Sequence, residues 1–125
     1  MFAQKENLSI TTDGAGAGTG YTSPVTGRIL AIVYTKDGTA PYTNGVDWVV
    51  SLEGTGEVIW TGTDVNASTV KYPRVPVQDE TGADALFAAG GTKLREPVMA
   101  ANDRVKIVIS SGGATHVGAF TVVIG

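Results

Sequence analysis

VDWVVSLE, residues 46–53, and DRVKIVIS, residues 103–110, decide how this chain is read. In the first, Val46, Trp48, Val50 and Leu52 fall on one side, and Asp47, Val49, Ser51 and Glu53 on the other. In the second, Val105, Ile107 and Ile109 fall together, and Arg104 and Lys106 turn the other way. Alternation with a period of two marks a strand with one face on a core and one in water.

The neighbouring segments extend the pattern. Gly54-Thr55-Gly56 turns the chain, and EVIWT (57–61) returns to complete a hairpin. GRILAIVYT (27–35) is almost continuously apolar, which suits a central strand, and Pro24 stands at its entrance, where no ladder donor is needed. Ser111-Gly112-Gly113 is a turn, and VGAFTVVI (117–124) is expected to pair back on 103–110. Its facing stays open, because Phe120, Val122 and Ile124 compete with Val117, Ala119, Thr121 and Val123. Apolar residues on both faces imply cover by the core on one side and by a partner on the other. Shorter strands are expected at 9–12, 68–72 and 94–99, the last interrupted by Pro97.

Turn chemistry fills the gaps. DGAGAGTG (13–20) is a glycine-rich loop; it lacks the Lys-Ser or Lys-Thr and the following helix of a phosphate-binding loop. Residues 36–45 carry two turn signals and Pro41, and read as an exposed loop or ragged edge. Only DETGADALFAAGG (79–91) has helical character, with Ala83, Leu86 and Phe87 on one side and Gly90-Gly91 as a stop. The expected fold class is all-β: a single-domain β-sandwich or jelly roll spanning 1–125, with Greek-key connections and one short helix or helical turn. The segment 1–7 is expected to be flexible.

Composition narrows the function. A chain of 125 residues with 42% hydrophobic residues can bury a core without staples, and with no Cys it has neither disulfide nor thiolate chemistry. The net charge is -3 and Lys and Arg are dispersed, which gives no basic stripe for nucleic acid. No apolar run approaches the roughly 20 residues of a membrane helix. The polar start, with Lys5 and Glu6, is unlike a signal peptide, so synthesis in a cytoplasm is expected.

The chemistry search yields no catalytic constellation. His116 is the one histidine, in GGATHVG after a turn, and reads as an exposed loop residue rather than a base. The carboxylates between Asp37 and Asp84 offer candidate pairs, and Asp79, Glu80 and Asp84 a loop cation site without the regular helix-loop-helix spacing. No cofactor and no metal are expected. Among the aromatics, Tyr42 beside Pro41 is the best candidate for an exposed ring.

The stretches at 20–48, 85–96 and 103–125 resemble small structural proteins of tailed bacteriophages. The resemblance implies a non-enzymatic virion protein, most directly a capsid decoration or cement protein on the head surface. It would bind the major capsid protein and itself, as a dimer or trimer, through multivalent contacts, and touch neither nucleic acid nor membrane. A carbohydrate- or receptor-binding module of a tail or fibre, and a head-tail connector component, are the alternatives. Tyr42, Arg74 and Arg95 are the expected interface residues, large groups in predicted loops.

Overall fold

In the computed structural model, which describes residues 3–86 and 88–125, the alternating segments become strands of two sheets. The chain runs β1 (Gln4–Thr11), β2 (Gly18–Tyr21), β3 (Val25–Lys36), β4 (Val46–Leu52), β5 (Val58–Val65), β6 (Thr69–Lys71), β7 (Arg74–Pro76), β8 (Arg95–Asp103), β9 (Val105–Ser110) and β10 (Val117–Ile124). One sheet has the order β1-β10-β3-β8-β7, with β6 beside the second half of β3; the other has the order β2-β9-β4-β5. Neither sheet closes into a barrel. Residues 4–7 of the segment expected to be flexible pair with Thr121–Ile124.

The core lies between the sheets. Val46, Trp48, Val50 and Leu52 of β4 and Val105, Ile107 and Ile109 of β9 face Ile29, Ile32 and Tyr34 of β3 and Phe120, Val122 and Ile124 of β10. The ambiguous last strand is settled by this packing: Phe120, Val122 and Ile124 point inward, and Ala119, Thr121 and Val123 outward. At the centre the rings of Tyr34, Trp48 and Phe120 meet with centroids 4.7 to 5.2 Å apart. Their tilted and edge-on geometry adds to the burial of their area. Gly62 makes room for Trp48, because a Cβ there would come within 2.5 Å of the indole Nε1.

Three expectations are corrected. First, 103–110 and 117–124 do not form a hairpin: β9 joins the four-stranded sheet and β10 the six-stranded one. The connection turns through left-handed backbone at Ser111, Gly113 and Thr115, which carries the chain across the core so that both inward faces are buried against each other.

Second, no helix occurs among the described residues. In the segment 79–91, Asp79 Oδ1 accepts from the N–H groups of Thr81 (2.9 Å) and Ala83 (3.0 Å), and the chain reverses at Gly82 with φ 87. Ala85 N–H then donates sideways to Val77 C=O, and Leu94 N–H to Ala85 C=O. The backbone donors that a helix needs are spent on turns and cross-chain bonds, so 77–86 and 88–94 form an arm of linked turns. Of the three residues expected on the helix's apolar side, Leu86 is exposed on this arm and Phe87 lies outside the described residues.

Third, residues 36–45 are not a ragged edge. Pro41 bridges to Val117, Val117 N–H donates to Ala40 C=O, and Tyr42 enters the core.

Candidate functional site

The loops at one end of the molecule gather much of what the sequence offered for chemistry. Residues 12–17, 40–45 and 111–118 come together there. Thr12 Oγ1 donates to Gly113 C=O (2.5 Å) and accepts from His116 N–H (2.9 Å); Gly112 N–H donates to Gly16 C=O, and Thr43 N–H to Gly112 C=O. Tyr42 was expected on the surface, yet it is only 3% exposed. Its hydroxyl donates to Ile10 C=O at 2.6 Å, and its ring lies parallel to Tyr34 at a centroid distance of 6.1 Å. Burial pushes the Tyr42 hydroxyl far above the ordinary tyrosine range. His116 is half-buried rather than exposed, with Nδ1 enclosed and without a hydrogen-bond partner among the described residues. Gly113 packs against its ring. The hydroxyls of Tyr42 and Thr12 tie separate backbone segments together, and His116 joins them through its main-chain N–H, so this network holds the end together.

The carboxylates serve turns and ion pairs. Asp13 and Asp37 are held below the usual carboxylate range by backbone N–H donors, those of Ala17 and Ala40 foremost, and Asp79 by the Thr81 hydroxyl and the Ala83 N–H. The Arg104 guanidinium does the same for Glu53, and Lys93 for Asp84, which it meets at 2.9 Å. A proton donor at neutral pH needs the opposite shift. Among the described residues no group of three or more His, Asp or Glu side chains is placed to hold a metal ion. Asp79 and Asp84, two of the three candidate cation ligands, are engaged by their own turn and by Lys93. Among the described aromatics, Tyr34, Tyr42 and Trp48 are core residues, and exposed Tyr21 and Tyr72 stand on different parts of the fold, β2 and the β6–β7 link.

Arg74 and Arg95, the other expected interface residues, are both exposed and stand on adjacent strands. Arg74 pairs in register with Pro97, and Arg95 with Pro76. Their neighbours Val75 and Val98 pack on the core, so alternation turns Arg74, Arg95 and Met99 to the outer face of the six-stranded sheet. Arg74 is anchored by Nη1, which donates to Leu30 C=O (3.2 Å) and Pro73 C=O (2.7 Å). The same face carries Arg28 opposite Met99, Lys5 opposite Val123, and Val70 opposite Val33. Two large apolar side chains stand out here, Met99 at 63% exposed and Val70 at 46%; Tyr72, 62% exposed, lies in the link between β6 and β7. Tyr72 was among the aromatics considered for an exposed ring; Met99 and Val70 were not singled out, although their signal was present: apolar residues alternating with polar ones on strands at a sheet margin. On β1 and β10 small Ser9 and Ala119 leave an open depression of ≈ 330 Å³, bordered by Asn7 and Thr121. Among the described strand residues that register places on this face, none is Asp or Glu.

The outer face of the four-stranded sheet differs. Val49 and Val108 stand beside Thr19 and Thr61 in one row, and charge is balanced where Arg104 pairs with Glu53 and lies 4.2 Å over the Tyr21 ring.

No family model matches the chain, and no curated protein matches it. Among solved structures, a chain described as the crystal structure of FLHE matches with a TM-score of 0.47 and 9% identity, over 99% of this chain and 98% of that one. This finding is to FLHE and not to a phage head protein, so the phage assignment is withdrawn. With it go the capsid decoration role on the head surface, the tail or fibre module, the connector component and the major capsid protein as partner. At that identity and score the match passes no role of FLHE to this chain.

Proposed function

We propose that this chain is a non-catalytic docking module that binds a protein partner through the outer face of its six-stranded sheet. One observation carries the reading: Met99 and Val70 are held out to solvent by strands whose opposite faces are fixed in the core, exposed Tyr72 lies in the link between β6 and β7, and Arg74 and Arg95 stand on the same face as Met99. Aromatic, Met and Arg side chains are the types enriched at the centres of protein interfaces. Strands fix those groups before binding, so association costs little ordering. The lowered carboxyls support a role without proton transfer.

A photo-crosslinking side chain placed at Tyr72 or Met99, in the cell that makes the protein, is expected to give one shared adduct. The same group at Val49 or Val108, on the other sheet, is expected to give none. Equal adducts from both faces, or adducts from neither, would overturn the proposal.

A further inference from the structure

Resting on that docking reading, we infer that the partner presents an acidic segment interspersed with apolar side chains. The argument is charge complementarity. The chain as a whole carries nine Lys and Arg against twelve Asp and Glu. Lys5, Arg28, Arg74 and Arg95 nonetheless share one sheet face on which the described strands place no carboxylate; Arg28 Nε donates to Gly125 C=O, and Asp84 of the arm is near enough to Arg95 to feel its charge. Glu6 and Glu96 lie on strands of this sheet, but register turns both to the opposite side, where they pair with Val122 and Val75. Lys36 and Lys71 of the same sheet turn the other way, opposite Gly118 and Ile32, but no strand acid turns to this face.

Three occupants are compatible with exposed apolar groups, and the charges separate them. A second copy docked face to face about a twofold axis would set this cationic surface against itself, which costs affinity. Nucleic acid presents a charge every ~1.7 Å along its axis. Four cations spread over one sheet face cannot track that density. An acidic protein segment carries few, spaced carboxylates. Arg74 and Arg95 can each take one in paired hydrogen bonds, and apolar residues between those carboxylates would cover Met99. Such contacts are screened by salt, so affinity should fall as ionic strength rises.

The test uses the full chain. A displayed library of short random peptides is selected on it, and the enriched peptides are mapped by amide chemical shifts. Enrichment of Asp or Glu together with Leu, Phe or Tyr, with shifts at Val33, Met99 and Thr121, is expected. Lys5→Glu with Arg95→Glu should then weaken binding by roughly tenfold and flatten its salt dependence; neither residue is an anchor of the fold in the way Arg74 is. Neutral or basic peptides on the same face would overturn the acidic partner and leave the docking reading standing. Peptides that map elsewhere, or no enrichment at all, would overturn both. Tighter binding of an oligo-thymidine strand than of any acidic peptide would make the face a nucleic-acid surface and overturn the inference. Dimerisation abolished by Met99→Asp would identify a second copy as the occupant and overturn it too.

Discussion

Two stretches of this chain, 13–17 (DGAGA) and 79–83 (DETGA), fold into the same turn and meet opposite fates. In each, the Asp carboxylate accepts from the N–H groups two and four residues on: Ala15 and Ala17 in one, Thr81 and Ala83 in the other, at 2.8 to 3.1 Å. Each Asp N–H donates to the carbonyl four residues on, and each turn has its fourth residue, Gly16 or Gly82, in left-handed backbone at φ 80 or 87. The first turn is then locked from outside: Gly112 N–H bonds Gly16 C=O, Thr115 N–H bonds Asp13 C=O, and Gly16 is buried against Gly113. The second stands at the tip of the arm, and Gly82 has nothing within 4 Å of where a Cβ would be. Local chemistry makes the turn, and what surrounds the turn decides what a change there costs.

Gly16→Ala is expected to have the largest effect. It adds positive-φ strain to a Cβ that would sit 2.9 Å from Gly113 N, for a loss of about 3 kcal/mol in denaturant unfolding. A loss equal to that of Gly82→Ala would show that the two turns do not differ.

Thr12→Val comes next. It deletes the hydroxyl that bonds Gly113 C=O and His116 N–H, leaves both without that partner, and should cost about 2 kcal/mol. Gly82→Ala should cost about 1 kcal/mol or less, felt as faster amide exchange within 77–94 more than as a lower global midpoint.

The pH dependence sharpens the comparison further. Asp13 and Asp79 both titrate below the ordinary carboxylate range when folded. A depressed folded pKa stabilises above the unfolded value, and that stability is lost as pH falls through the folded value. Asp13→Asn keeps an acceptor oxygen and removes the titration, so it should blunt the acid-side fall in global stability. Asp79→Asn should leave that fall unchanged and alter only exchange in the arm. At the other extreme the buried Tyr42 hydroxyl titrates well above its ordinary value. The fold should therefore hold below the ordinary tyrosine pKa and weaken as pH climbs past it, a trend that Tyr42→Phe should reduce.

The candidate docking face was half legible. Arg74 and Arg95 could be named from the sequence, but not that they point the same way, because that depends on the pairing of β7 with β8. Tyr42 was misjudged for a related reason. A tyrosine beside a proline in a turn-rich stretch suits the surface equally well until the Pro41–Val117 bridge folds the stretch inward, over a spot kept open by Gly118. The segment 79–91 looked helical because Asp ahead of an Ala- and Leu-containing run serves as well to cap a helix as to close a turn. Gly82 and the sideways bond of Ala85 tip the balance.

By itself the sequence determined which residues of β4 and β9 face the core, where the chain turns, and that strands dominate. Those properties live in side-chain period and in the backbone preferences of Gly, Pro and Asp. Only the tertiary structure decided that β9 and β10 part into different sheets, that Phe120 rather than Thr121 goes inward, and that four cations gather on one face. The reason is physical: strands pair through backbone N–H and C=O groups that are alike at nearly every residue. Partner and register are therefore fixed by which apolar faces can be buried together, a property of the assembled pair of sheets and of no segment alone.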